Sequence, residues 1–169
     1  LPRHMWGINA KLNELHAAMA LLSLDQLDDV IRRNEERHQR YAEGLAGMTC
    51  MRLLPGTNEP GERRNFSLAV LEILPDSPLD RDQLLALIRA EGAVVNPYYS
   101  PALHRSEHCP KNLQVPTLPV AESLAMKLLQ LPVGHHVSLE DIDRLTEKMR
   151  MIDRLADEIA RRMSGRHSV

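Results

Sequence analysis

Asn65-Phe66-Ser67-Leu68-Ala69-Val70-Leu71-Glu72-Ile73-Leu74-Pro75 is followed, four residues on, by Asp80-Arg81-Asp82-Gln83-Leu84-Leu85-Ala86-Leu87-Ile88, with a glycine at position 92. The first stretch is rich in Phe, Leu, Val and Ile with partial alternation, which predicts a strand ended by Pro75. In the second, Asp80 and Gln83 form a capping-box pattern ahead of apolar residues at helical spacing, and Gly92 supplies the stop. A strand leading into a short amphipathic helix sets the α/β class.

Working outward, Ala93 to Val95 predicts a brief strand that delivers the chain to Pro97-Tyr98-Tyr99-Ser100-Pro101, where two prolines keep the backbone extended. On the other side, Met51 to Leu54 predicts a short strand before an exposed Pro- and Gly-containing loop. From Leu12 to Leu45 apolar residues recur at helical spacing, with a phase shift that predicts a break near Ser23 to Asp25. Asp25 then caps a second helix ending at Gly44 or Gly47. Pro119 opens a helix expected to run through Leu129 and to end before Pro132. Ser138 with Asp141 caps a last helix, whose Ile142, Leu145, Met149, Ile152, Leu155, Ile159 and Met163 carry one apolar face to Gly165. The architecture expected is a small sheet of about three strands packed with helices, with a long C-terminal helix.

Lys and Arg total 21 against 23 Asp and Glu, a net charge of -2, so neither nucleic acid nor an anionic membrane is an expected partner. Two cysteines and eight histidines show no disulfide or metal-ligand spacing. No apolar run reaches the roughly 18 residues that span a bilayer. A soluble, cytoplasmic protein is expected. Leu1-Pro2-Arg3-His4 is neither an initiator methionine nor a helix cap, and an amphipathic pattern begins almost at once. This predicts the interior of something longer; a tag remnant ending near Met5 is the alternative.

The densest group of functional side chains is Tyr98-Tyr99-Ser100-Pro101-Ala102-Leu103-His104, in a chain with one Trp, three Tyr and one Phe. Tyrosine hydroxyls and an imidazole suit hydrogen bonding to sugar or phosphate oxygens, and loops on a rigid scaffold are where binding groups sit. The plainer alternative is that the rings cover a core edge while His104 is solvated. Gly7 to Leu15 places Asn9 and Asn13 near a helix start, where an anion or a simple cap is served. His135-His136 reads as a turn.

These segments resemble, in order, the C-terminal part of the DegT/StrS-type nucleotide-sugar aminotransferases, pyridoxal-phosphate (PLP) enzymes of the aspartate aminotransferase fold. Gly7-Ile8-Asn9-Ala10-Lys11-Leu12-Asn13-Glu14-Leu15-His16-Ala17-Ala18 looks like the family's G-x-N-x-[RK]-[LM]-x-E-x-x-A-A segment, and Arg37 to Leu45 like its R-x-x-x-Y-x-x-x-L helix. Asp80 to Leu84 resembles the R-D-x-L helix start, Tyr99 to His104 the Y-x-P-x-H loop, and Ala121-Glu122 to Leu131-Pro132 the A-E-x-L…L-P segment. The match departs at Asn96-Pro97, where many relatives carry a basic residue.

The resemblance implies a small C-terminal α/β domain at 48–169. Residues 1–47 become a helical dimer and linker segment leading out of a large cofactor domain that this chain lacks. It implies that Asn9 contacts the phosphate of PLP in the neighbouring subunit of a homodimer, and that Tyr98, Tyr99 and His104 border a nucleotide-linked keto-sugar. Glutamate is the type of amino donor implied. The lysine that holds PLP as a Schiff base lies upstream of G-x-N in the family, so none of Lys11, Lys111, Lys127 and Lys148 is assigned to it, and no catalytic residue is expected here. The chain alone is then expected to be inactive. Two alternatives stay open: a PLP-dependent sugar dehydratase on the same scaffold, and a non-catalytic dimerisation or regulatory module descended from such an enzyme.

Overall fold

In the computed structural model, which describes residues 12–55, 61–107, 109 and 115–165, the central stretch forms β2 (Ala69–Ile73). Its neighbours are β1 (Met51–Leu53), β3 (Asn96–Pro97) and β4 (Leu128–Leu131), in one antiparallel sheet ordered β1-β2-β4-β3. Ala69 faces Leu131 and Leu71 faces Leu129 across the central pair, while Asn96 faces Gln130 at the outer one. Ala69, Leu71, Leu129 and Leu131 are fully buried, and the intervening Val70 and Gln130 turn to the opposite face and are half-buried. This is the period of two that a sheet packed mainly on one side imposes.

The α/β class holds, and the sheet has four strands because of β4. The helix expected from Pro119 through Leu129 stops early: α4 is Pro119–Ala125, and Met126 and Lys127 turn the chain back. Leu128-Leu129-Gln130-Leu131 is a short apolar run that fits either period. Pairing with β2 decides it, and the Ile73 amide donates to the Lys127 carbonyl at 2.9 Å to extend the ladder. The strand expected at Ala93 to Val95 falls instead on β3. Residues 92 to 95 are the exit from α3 (Arg81–Ala90), with Gly92 at a φ of 88° and the Ala93 amide donating to the Ile88 carbonyl. The capping box of Asp80 and Gln83 is present as expected.

α1 (Glu14–Asp25) and α2 (Leu27–Leu45) meet where the phase shifts. Asn13 caps α1, its side chain accepting from the His16 amide at 2.9 Å. Asp25 is the last residue of α1 and not the cap of α2; that position is Gln26, which makes no side-chain cap bond. The expected single C-terminal helix is two, α5 (Leu139–Arg154) and α6 (Ala156–Gly165). No proline or glycine marks the break at Leu155. Its effect is to lay Ile159, Ala160 and Met163 against the core. No helix among the described residues is long and apolar enough to cross a membrane.

α2 and α5 form the main helix pair. Tyr41, fully buried, donates its hydroxyl to the Pro132 carbonyl at 2.9 Å, and burial pushes its pKa well up. Arg40 grips both carboxylate oxygens of Asp143 at 2.6 and 2.7 Å. Arg150 donates to the carbonyls of Gly44 (2.8 Å) and Glu43 (3.2 Å) in the last turn of α2, where the helix leaves carbonyls short of partners and only a long bond from the Ala46 amide, 3.4 Å, also reaches Glu43. Asp153 accepts from the amides of Thr49 and Cys50, at 3.0 and 2.7 Å, and so aims the chain into β1. The helices touch at Gly44, where a Cβ would stand 2.6 Å from the side chain of Thr146.

α1 is different. It has no buried residue, and Leu15, Met19 and Leu22 are 69%, 58% and 64% exposed on a helix that is apolar on every side. A helix apolar all round is ordinarily a buried one.

Gly44→Ala is expected to destabilise the fold by about 1–3 kcal/mol through overpacking, measured by urea denaturation. Adding Thr146→Ala should recover part of that loss; strict additivity of the two changes would contradict the contact.

Candidate functional site

The Tyr98 amide donates to the Leu128 carbonyl at 3.1 Å, so pairing with β4 continues one residue past β3 and fixes where the aromatic pair begins. The Tyr98-Tyr99 and Ser100-Pro101 peptide bonds are cis. The two tyrosine rings lie 4.6 Å apart between centroids, tilted by 32°. Tyr99 is 68% exposed, and Tyr98 is half-buried.

Tyr98 lines an open cleft of about 400 Å³ with Arg63, Arg64, Phe66, Ser67 and Val70. The segment before β2 is tightly shaped. Phe66 has a φ of 48°, in the left-handed region that a bulky residue seldom enters. Arg64 stands over its ring at 4.9 Å, and the His38 ring packs against it at 5.5 Å. Burial, then the charge of Arg64, lowers the His38 pKa below its usual value. Arg63 pairs with Asp28 of α2. Asn65 accepts from the Ser67 amide at 3.0 Å, closing the turn into β2.

Beyond Pro101 a single 3-10 turn, Leu103–Arg105, carries His104. Its side chain is 10% exposed, and Nε2 lies 2.8 Å from Oε1 of Glu122 on α4. Arg105 donates to the same oxygen at 3.0 Å, and the Leu118 amide approaches it at 3.4 Å. The hydrogen bond to His104, then that to Arg105, holds the Glu122 carboxyl below its usual pKa. His104 is therefore neither solvated nor turned to the cleft surface. It ties the loop to α4.

The second tie is Arg81, the first residue of α3, 5% exposed. It donates to the Ala125 carbonyl at 3.2 Å and to the Ser100 hydroxyl at 3.3 Å. Neither Arg81 nor Glu122 was separable in sequence from ordinary surface charges of a helix first turn. A signal exists only in retrospect, in their places inside the R-D-x-L and A-E-x-L segments.

The structure thus brings Tyr98, Tyr99 and His104 into one loop, with the tyrosines outward and the histidine inward. Asn9 and Lys11 lie outside the described residues. Lys148 pairs with Glu91, Lys127 sits in the turn before β4, and among the described residues no lysine lines the cleft beside Tyr98. His135 and His136 form a turn, and no group of three metal-ligating side chains occurs among the described residues.

A carboxylate whose pKa is lowered by folding contributes stability that is complete above its ordinary value near 4.5 and fades as the pH falls through the lowered one. Residues 102–106 should accordingly loosen from α4 below about pH 4.5, before the core unfolds. Glu122→Gln should loosen them at neutral pH. Limited proteolysis across the pH series checks both, and equal cleavage of variant and wild type at pH 7 would remove Glu122 as the anchor.

The sequence profile of the DegT/DnrJ/EryC1/StrS aminotransferase family matches residues 2–150. The chain is 33% identical over 140 residues to the erythromycin biosynthesis sensory transduction protein EryC1 of Saccharopolyspora erythraea, covering 82% of this chain and 36% of that protein. It is 30% identical over 156 residues to a dTDP-3-amino-3,4,6-trideoxy-alpha-D-glucose transaminase of Streptomyces venezuelae, covering 87% and 38%. Among solved structures it superposes with a TM-score of 0.78 and 32% identity on DesI in the presence of its TDP-sugar product, over 94% of this chain and 40% of DesI. The chain spans about two-fifths of the length of the relatives it matches. With the family's profile running through the helix pair, the sheet and the tyrosine loop alike, this chain belongs to the DegT/DnrJ/EryC1/StrS aminotransferase family.

Proposed function

We propose that this chain is the small-domain wall of a PLP-dependent aminotransferase that passes an amino group from a donor such as glutamate to a nucleotide-linked keto-sugar, in cytoplasmic amino-sugar biosynthesis. The observation that carries this is the tyrosine pair, which the sheet and α4 hold at the open surface of a chain belonging to a family of sugar aminotransferases. Phenolic hydroxyls donate and accept, as sugar oxygens require, and the apolar ring faces cover the faces of a pyranose. Relatives with dTDP-sugar names support the nucleotide-linked substrate.

In this reading Tyr98 and Tyr99 border the sugar. His104 borders the sugar from beneath: with Nε2 committed to Glu122, it holds the loop that carries the tyrosines. Asn9 reaches the cofactor phosphate of the neighbouring subunit in a homodimer, so that each site is built from two chains. The residues described here suit the rim of a PLP site and not its anchor, since among them no lysine lines the cleft. The cofactor lysine is assigned to a large domain outside this chain, and the chain alone is inactive. PLP, when bound, supplies the electron sink for the transfer. What this chain supplies is orientation of the sugar, exclusion of water from one side, and a hydrogen bond to phosphate.

The exposed α1 supports the same arrangement. An apolar helix without cover among the described residues is surface that further protein buries.

In the assembled enzyme, loaded with PLP, amino transfer from glutamate to nucleotide-linked keto-sugars is the decisive assay. An assembly that binds PLP yet transfers to no such sugar would sink the proposal. Asn9→Ala is expected to weaken PLP affinity by roughly ten- to a hundredfold, the size of a hydrogen bond to a charged group of about 1.5–3 kcal/mol; cofactor titration measures it. Leu22→Glu should abolish assembly while changing the chain's own stability by no more than about 0.5 kcal/mol, as for an exposed position. Size-exclusion chromatography and denaturation together read this, and intact assembly in the variant would free α1 of its role.

A further inference from the structure

We propose that Arg81 is a positioning residue for the sugar subsite, acting through Ser100 to hold the Tyr98-Tyr99 pair. This rests on the reading of those tyrosines as the sugar-facing wall. An arginine at the first position of a surface helix ordinarily carries its guanidinium out to water, whereas Arg81 is 5% exposed. Burying that charge is costly unless an aligned counter-charge replaces its hydration. Here the two terminal nitrogens are spent on neutral acceptors, the Ala125 carbonyl and the Ser100 hydroxyl. Nε lies 2.7 Å from an oxygen of Asp82 but makes no aligned hydrogen bond, and Asp82 is 65% exposed, so its charge is shared with solvent.

An apolar side chain of the same volume would cover the start of α3 at less cost. What the guanidinium adds is direction, because its planar fork fixes two acceptors relative to one another. One arm holds the end of α4; the other holds the residue that directly follows the two tyrosines. At the far side of the same loop Glu122, also on α4, holds His104 and Arg105. The stretch from Tyr98 to Arg105 is thereby tied down twice, at Ser100 by Arg81 of α3, which also grips the end of α4, and at His104 and Arg105 by Glu122 of α4. Its exposed crest is Tyr99, beside the Ser100 tie, together with Leu103. Loss of the Ser100 clamp frees that crest, and with it the geometry offered to a sugar, while leaving the main core untouched.

Ser100→Ala deletes one acceptor and almost no volume, so it is the cleanest variant. In the full chain, hydrogen exchange of the amides from Tyr98 to His104 should rise several-fold, with α2 and α5 unchanged. Arg81→Lys, which lacks the fork, should fall between wild type and Arg81→Met; should the methionine variant fail to fold, Ser100→Ala decides alone. In the PLP-loaded assembly, Ser100→Ala should raise KM for the keto-sugar roughly five- to tenfold, the scale of one net hydrogen bond. The glutamate half-reaction and the Tm should stay as in wild type, which a general structural defect would not allow. Unchanged exchange in Ser100→Ala overturns the clamp, and raised exchange with an unchanged sugar KM overturns the positioning role. A wild-type assembly that transaminates no keto-sugar would instead fail the functional reading, and the exchange measurement would still decide whether Arg81 governs the tyrosine loop.

Discussion

The structure turns on the approach of α2 to α5 at Gly44 and Thr146, where there is room for a hydrogen and none for a methyl. Everything else is built from that distance. It lets Arg150 reach the last carbonyls of α2 and Arg40 reach Asp143, and it puts Asp153 under the amides that begin β1. With β1 placed, β2 and β4 follow by register, and β4 in turn carries the amide-to-carbonyl bond that starts the tyrosine loop. A contact between two helices thus reaches the tyrosine loop through one sheet.

The division of labour along the loop follows from charge and burial. Aromatic hydroxyls tolerate either water or a ligand, so they can stand at the crest. The ionic groups do the holding from beneath, where partial burial keeps their partners fixed: one carboxylate gathers His104 and Arg105, and one guanidinium spans α4 and Ser100. Such a surface is held from beneath without being filled from above.

Much of this was legible in the sequence where a residue signals its own local geometry. The capping boxes at Asp80 and Ser138, the phase shift near Asp25 and the Gly92 stop all act within four residues, and the structure has them. What was not legible depends on partners far away. Leu128 to Leu131 became a strand because β2 offered a ladder, and Leu155 broke a continuous apolar face for no local reason. The tyrosine loop was visible by composition, but its direction was not: that His104 turns inward depends on Glu122, eighteen residues on, and that Ser100 is held depends on Arg81, nineteen residues back. Pairings of that range leave no periodic trace.

The pairing of α2 with α5 also sets an order of events at birth. Arg37 donates to the carbonyl of Val137, a hundred residues further on, and Arg40 meets Asp143 beyond it. At a synthesis rate of about 5–20 residues per second, α2 leaves the ribosome roughly 5–20 seconds before the partner that buries Tyr41 has been made. Throughout that interval α1, apolar on every side, and α2 present leucines, Val30, Ile31 and Tyr41 to water as one stretch of chain. Contacts of such long sequence separation make closure of the fold a late step.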